Sequence, residues 1–214
     1  MNVFINLRPH VAVVPHIFKM IRLLYFGLLG QFLVSCINMN DPEDQATYIE
    51  ERNNFDKSLV KLFPDRLPNN MLGFGFSAPY DNVPSRLHLK TKYFSEKDYL
   101  ETKTKYQEQS KYYTSSTDKC LFLVDDYEGM KQEKCENFYP IPTEAIFDTD
   151  HYGKTKTRIT DSEVFFIDTK PGDFIKDGKN HSRVDSPENW THGYSTGITT
   201  NDNNRTIQFW LVAW

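Results

Sequence analysis

The 214-residue chain has little cysteine, no excess of basic charge and no apolar run long enough to span a membrane. Its 25 Lys and Arg residues are outnumbered by 29 Asp and Glu residues, which gives a formal net charge of −4. An acidic chain gains nothing from a phosphate backbone, so we expect no nucleic-acid partner. The mainly apolar run 23–34 holds twelve residues, whereas a spanning helix needs about 20. We therefore expect no anchor formed by this run alone.

The sequence also lacks the motifs that would assign an enzyme or a metal site. Its histidines are scattered, and no pair of them shows the spacing of a zinc site. The pattern G-x-S-x-G occurs at 193–197, but a β-rich segment follows it and no histidine comes after His192. A nucleophile elbow needs a helix and then a histidine there, so we interpret the match as chance. The sequence predicts no catalytic residue, no metal and no cofactor.

The order of residues from Met20 to Cys36 has the most specific chemical meaning in the chain. Positive charge at Arg22 comes first, the apolar run follows, and the small residue Ser35 precedes Cys36. This order resembles the signal peptide and lipobox of bacterial lipoproteins. The resemblance implies that Cys36 receives diacylglycerol on its sulfur and becomes the mature N-terminus. It also implies a lipid anchor to a membrane of the bacterial cell envelope, on a leaflet that the sequence does not assign.

Two other interpretations of this segment stay open. The first is a buried helix that ends on a chance cysteine, and the second is either a cleaved signal without lipid or an uncleaved anchor. Signal peptides begin with a short charged region, and nineteen residues precede the second methionine. We therefore expect translation to begin at Met20. On the lipoprotein interpretation, residues 1–35 are the signal peptide, 36–42 a lipid-anchored tether and 43–214 the domain.

Removal of residues 1–35 would make the chain more acidic. That segment holds three of the 25 basic residues and no acid, which leaves 22 basic against 29 acidic residues and a charge of −7. Anionic lipid headgroups repel such a domain, so we expect acyl chains and not a basic face to hold it at the membrane.

Two cysteines, Cys120 and Cys135, remain after Cys36. An exported chain meets an oxidising compartment in which a disulfide persists, and two thiols have only one intramolecular pairing. We predict a Cys120–Cys135 disulfide, with two small buried hydrophobic side chains as the alternative.

The patterns in the body of the chain predict a single α+β domain with a mainly antiparallel sheet, a C-terminal hairpin and two or so packed helices. Helical spacing covers 43–62, and a capping-box sequence opens a helix over 95–111. Strand patterns cover 86–94, 120–124, 145–147, 162–168, 194–200 and 206–214. The last of these is apolar on both faces, so we expect it inside the sheet. We expect 67–83 to be a loop whose Phe74 and Phe76 enter the core.

Aromatic residues with hydrogen-bonding neighbours gather near the start of the C-terminal hairpin. Trp190, His192 and Tyr194 are the candidate ligand-binding residues, because such side chains form platforms for carbohydrates or peptides. The alternative is that Trp190 and Tyr194 cover one edge of the sheet.

Our first hypothesis on function is a non-catalytic binding or interaction module, attached to the membrane through its lipid and able to bind a protein or carbohydrate ligand. The second is an envelope hydrolase whose site is assembled from dispersed residues. A concave pocket in which such residues converge would favour the second, and a grooved aromatic face the first. The candidates for the hydrolase site are His151, His181, Asp185, Glu188 and His192.

Overall fold

A six-stranded antiparallel sheet forms the centre of the domain in a computed structural model, which describes residues 41–77, 84–125, 135–149, 156–175 and 190–214. The helices are α1 (Pro42–Asn53), α2 (Glu96–Gln109) and a 3-10 helix (Thr143–Ala145). The strands are β1 (Met71–Ser77), β2 (Ser85–Lys92), β3 (Tyr112–Ser115), β4 (Leu121–Leu123), β5 (Tyr139–Ile141), β6 (Phe147–Thr149), β7 (Lys156–Arg158), β8 (Ser162–Pro171), β9 (Gly193–Asn201) and β10 (Thr206–Ala213). The order in the large sheet is β1-β2-β10-β9-β8-β3. The predicted α+β fold is confirmed.

Helix α1 begins where expected but ends earlier than the predicted 43–62. The Asp41 side chain caps it by accepting a hydrogen bond from the Glu43 N–H at 2.9 Å, and Pro42 occupies the first turn, where its missing N–H costs nothing. Beyond Asn53 the chain turns instead, because the Asp56 carboxylate accepts hydrogen bonds from the backbone N–H and the hydroxyl of Ser58. Such local bonds compete with helix. The apolar spacing after residue 53 thus belongs to turns that bury Leu59, Val60 and Phe63.

Helix α2 confirms the helix predicted over 95–111. The Ser95 hydroxyl accepts a hydrogen bond from the Asp98 N–H at 3.4 Å, as a capping residue does. Buried Tyr99 fixes the helix to the sheet, and the Lys103 ammonium lies 2.7 Å from Asp202 in the hairpin turn. Neither α1 nor α2, the α-helices of the described residues, is long and apolar enough to cross a membrane.

The C-terminal hairpin of β9 and β10 is confirmed. Its second strand, β10, lies inside the sheet between β2 and β9. Both faces of β10 are buried. One face packs with the helices through Ile207, Phe209, Leu211 and Ala213. The other packs through Trp210, Val212 and, just beyond the strand, Trp214. The apolar composition of this strand follows from its two-sided burial.

The predicted loop over 67–83 is wrong in its middle, because Met71–Ser77 form the edge strand β1. Phe74 does enter the core, where its ring meets Tyr48 edge-on with centroids 5.8 Å apart. The glycines and flanking prolines suggest a loop, yet pairing with β2 outweighs them. The remaining residues of that segment, 78–83, lie outside the described residues.

A second layer covers the face of the sheet that carries Trp210. It contains the parallel pair β4–β5, the 3-10 helix and the antiparallel pair β6–β7. The strand predicted at 145–147 is wrong, because Pro142 leads into the 3-10 helix and strand β6 starts only at Phe147. Leu121, Leu123 and Ile146 pack from this layer onto the sheet.

The predicted disulfide is present, since the sulfurs of Cys120 and Cys135 are bonded across 15 residues of sequence. We expect reduction to lower the free energy of unfolding by about 3 kcal/mol, because it releases the loop in the unfolded chain. Thermal melts with and without reductant measure this effect. The Cys120→Ser/Cys135→Ser variant serves as the control, because its melt should not respond to reductant. Equal melting temperatures for the oxidised and reduced protein would contradict the expectation.

Candidate functional site

Strand β2 places two kinds of side chain on its two faces. Leu87 and Leu89 are fully buried on the helix side, whereas Arg86, His88 and Lys90 lie on the opposite side and face the second layer. The predicted alternation is confirmed. The basic residues, however, do not form a plain outer face, because three acidic residues of the second layer stand opposite them.

Arg86 joins two carboxylates at one end of this row. Its Nη1 lies 2.5 Å from Asp125 Oδ2 and 3.3 Å from Glu144 Oε2. The other oxygen of Asp125 accepts hydrogen bonds from the backbone N–H and the hydroxyl of Thr143, at 2.8 and 2.7 Å. The Asp125 side chain is only 4% exposed. The group therefore ties β2 to the second layer through a carboxylate with both oxygens in use.

His88 occupies the centre of the row, between Glu144 and the edge strand. Its Nδ1 lies 3.4 Å from Glu144 Oε1, within ion-pair distance when the imidazole is protonated. On its other side the ring lies against Gly75, where an added Cβ would stand 2.5 Å from the imidazole Cε1. Only glycine at position 75 admits this close approach.

An open cleft runs along these residues. Two adjoining cavities of about 250 Å³ each share His88 and Glu144. One extends towards Arg86, Phe76 and Lys156. The other extends towards Leu72, Phe147, Lys90 and Asp148, where Lys90 Nζ lies 3.5 Å from Asp148 Oδ1. The cleft thus combines charges of both signs with apolar residues at each end.

The two carboxyl groups beside Arg86 have opposite pKa shifts. Burial, reinforced by the negative charge of Glu144, raises the pKa of Asp125 against the contrary effects of Thr143 and Arg86. Burial also acts to raise the pKa of Glu144, but His88 and Arg86 outweigh it and hold that pKa below its usual value. Of these two carboxyl groups, Glu144 is therefore the one that stays ionised to lower pH.

The candidate ligand residues from the sequence do not share one surface. Trp190 packs against Trp214 on the second-layer side, with the two rings tilted and their centroids 5.9 Å apart. Tyr194 lies in the core on the helix side, and its hydroxyl donates to Asp168 Oδ2 at 2.5 Å. His192 is half-buried, and its carbonyl accepts a hydrogen bond from Gly172. None of Trp190, His192 and Tyr194 lines the cleft.

The G-x-S-x-G match has a structural explanation. Gly193 and Gly197 lie opposite Trp214 and Trp210, whose indole rings occupy the space that side chains on β9 would need. Ser195 between them is fully buried within β9. The glycines make room for two tryptophans, and the serine is not presented as a nucleophile.

Several predicted residues lie outside the described residues: Cys36, His151, His181, Asp185 and Glu188. Lipidation and the hydrolase site built on these residues stay predictions. In the part of the chain that the structure describes, no group of three or more His, Cys, Asp and Glu side chains is placed to hold a metal ion.

The residues of the cleft were missed by the sequence analysis. Arg86 is 39 residues from Asp125 and 58 from Glu144, so no local spacing links them. The one available signal was the charge on alternate residues of β2, which indicates a polar face without showing that another layer meets it. Comparison with known proteins finds no matching family model, curated protein or solved structure.

Proposed function

We propose that the protein is a lipid-anchored protein of the bacterial cell envelope whose domain binds a ligand in the cleft beside β2, without catalysing a reaction. The anchor part rests on the lipobox-like order of residues that ends at Cys36. The binding part rests on one observation, the open cleft in which Arg86, His88 and Lys90 face acidic residues of the second layer.

The attachment point of the domain supports the anchor. The first helix starts at Pro42 with its cap at Asp41, so five residues, 37–41, separate Cys36 from it. Five extended residues reach about 17 Å at most. A lipid on Cys36 would thus hold the domain next to the membrane surface. Acyl chains suit this acidic domain as a membrane anchor, because anionic lipid headgroups would repel its surface.

The composition of the cleft supports binding. Ligand sites combine apolar walls with a few convergent polar groups, and this cleft has Leu72, Phe76 and Phe147 around its charged residues. Arg86, His88 and Lys90 keep 28–32% of their side-chain surface exposed although each has an acidic neighbour. They remain accessible to a ligand while the second layer holds them in position.

Photo-crosslinking in cells tests whether the cleft meets a macromolecule. We expect p-benzoylphenylalanine at position 72 to form light-dependent adducts, because Leu72 lines the cleft and is 49% exposed. The same substitution at Tyr113, which is 57% exposed on the far edge strand β3, is the matched control. Adducts at neither position, or equally at both, would overturn the binding part of the proposal.

A further inference from the structure

The two edges of the large sheet differ in how well they are protected. Edge strand β3 has only four residues and follows Lys111, both of which discourage pairing with another chain. Edge strand β1 has seven residues, no charged residue and no proline. In the part of the chain that the structure describes, its one protective device is a register shift between Met71 and Gly73. Among the described residues, only β2 pairs with β1.

The side chains of β1 leave this edge open on the cleft side. Gly73 and Gly75 pair directly with Lys90 and His88 of β2. Apart from its two chain neighbours, no described residue has an atom within 4 Å of a Cβ built on Gly73. At Gly73, therefore, no side chain separates an added strand from Lys90, whereas the His88 ring fills the space over Gly75.

We infer that β1 is the docking edge for an extended segment of a partner protein, which adds to the sheet as a seventh strand and carries an acidic residue that faces Lys90. The inference rests on the proposed function and deepens it by naming the ligand as a polypeptide. Strand addition gives affinity through main-chain hydrogen bonds and specificity through alternate side chains. The exposed Leu72 and Phe76 would gain cover from the added strand.

The charge of Lys90 favours an acidic residue in the partner. Arg86 and His88 already face the carboxylates of the second layer, at 2.5–3.4 Å. A side chain of an extended partner can reach Lys90 over Gly73, which pairs with it. Lys90 has the weakest existing pairing, at 3.5 Å from an Asp148 that is 68% exposed. Exposed pairs of this kind contribute little, so a partner carboxylate can replace Asp148.

Binding of short synthetic peptides to the full-length protein in detergent tests the inference. The probe is a fluorescein-labelled N-acetyl hexapeptide of alternating Glu and Val, and fluorescence anisotropy reports its binding. We expect a Lys–Val hexapeptide to bind at least about tenfold more weakly, because it places a cation beside Lys90. Backbone N-methylation supplies the sharper control. Every second amide of an added strand points towards β1. Methyl groups on that set should weaken binding by about tenfold or more, whereas methyl groups on the other set should leave it unchanged.

Protein variants complete the test. Gly73→Glu places a carboxylate in the open space next to Lys90, and we expect it to weaken binding of the Glu–Val peptide by about tenfold. Tyr113→Glu on the far edge should leave binding unchanged. The inference is overturned if the Glu–Val peptide does not bind, if the Lys–Val peptide binds as well, or if the two N-methylated sets bind equally. Adducts at position 72 without peptide binding would reject this inference alone, whereas the absence of both would reject the binding proposal too.

Discussion

Substitution of Gly197 by alanine is expected to lower the free energy of unfolding by about 3 kcal/mol or more, a large part of the about 5–15 kcal/mol that a domain has in total. A Cβ at this position would lie 2.5 Å from Cζ2 of Trp210 and would collide with the backbone carbonyl oxygen of Phe165. Trp210 is fully buried, and the carbonyl belongs to the neighbouring strand β8. Neither can move away without opening the pairing of β8 with β9. Chemical denaturation followed by tryptophan fluorescence measures the loss.

Gly73→Ala is the matched control, because it makes the same change on β1 where the cleft is open. Its free energy of unfolding should stay within about 0.5 kcal/mol of the parent or rise slightly, since alanine restricts the unfolded chain. Equal stability of the two variants would show that Gly197 does not make room for Trp210, contrary to the packing described above.

Replacement of Arg86 by methionine is expected to cost about 3–5 kcal/mol, because it leaves the buried Asp125 carboxylate without its charged partner. The loss should shrink at low pH. Without Arg86, the pKa of Asp125 in the folded state rises further above that of the unfolded chain. The folded variant then binds a proton more readily than the unfolded chain, so its stability increases as the pH falls through that folded pKa. Denaturation midpoints across a pH series measure both effects.

Two further variants separate this charge effect from packing. Lys90→Met lies on the same face of β2 but breaks only the exposed pair with Asp148, so it should cost less than about 1 kcal/mol. The double change Arg86→Met/Asp125→Asn removes the unpaired charge and should recover part of the stability. If Arg86→Met costs no more than Lys90→Met at neutral pH, the Arg86–Asp125 pair does not stabilise the contact between the two layers.

Local sequence patterns predicted the elements in which each face stays buried, or stays exposed, along its whole length. Strand β10 is mainly apolar because both of its faces are covered, and β2 alternates because its faces differ. The capping residue Ser95 predicted the start of helix α2. These features depend on residues close together in sequence.

The errors arose where distant contacts outweigh local preference. Glycine-rich β1 forms a strand because β2 supplies its hydrogen bonds, and the chain after Asn53 turns because Asp56 bonds Ser58. The cleft could not be predicted at all. Its charged groups come from β2, from Asp125 after β4 and from the 3-10 helix, and only the packing of the second layer onto the sheet brings them together.

The central claim is that lipid on Cys36 holds this domain at an envelope membrane, and the mass of the N-terminal peptide tests it most directly. Protein purified from membranes should yield an N-terminal peptide that begins at Cys36 and carries diacylglycerol on the sulfur. Cys36→Ser should abolish the modification and leave the precursor uncleaved, because the thiol is the acceptor. A membrane-bound protein whose N-terminal peptide includes residues before Cys36, or whose Cys36 is unmodified, would contradict the account.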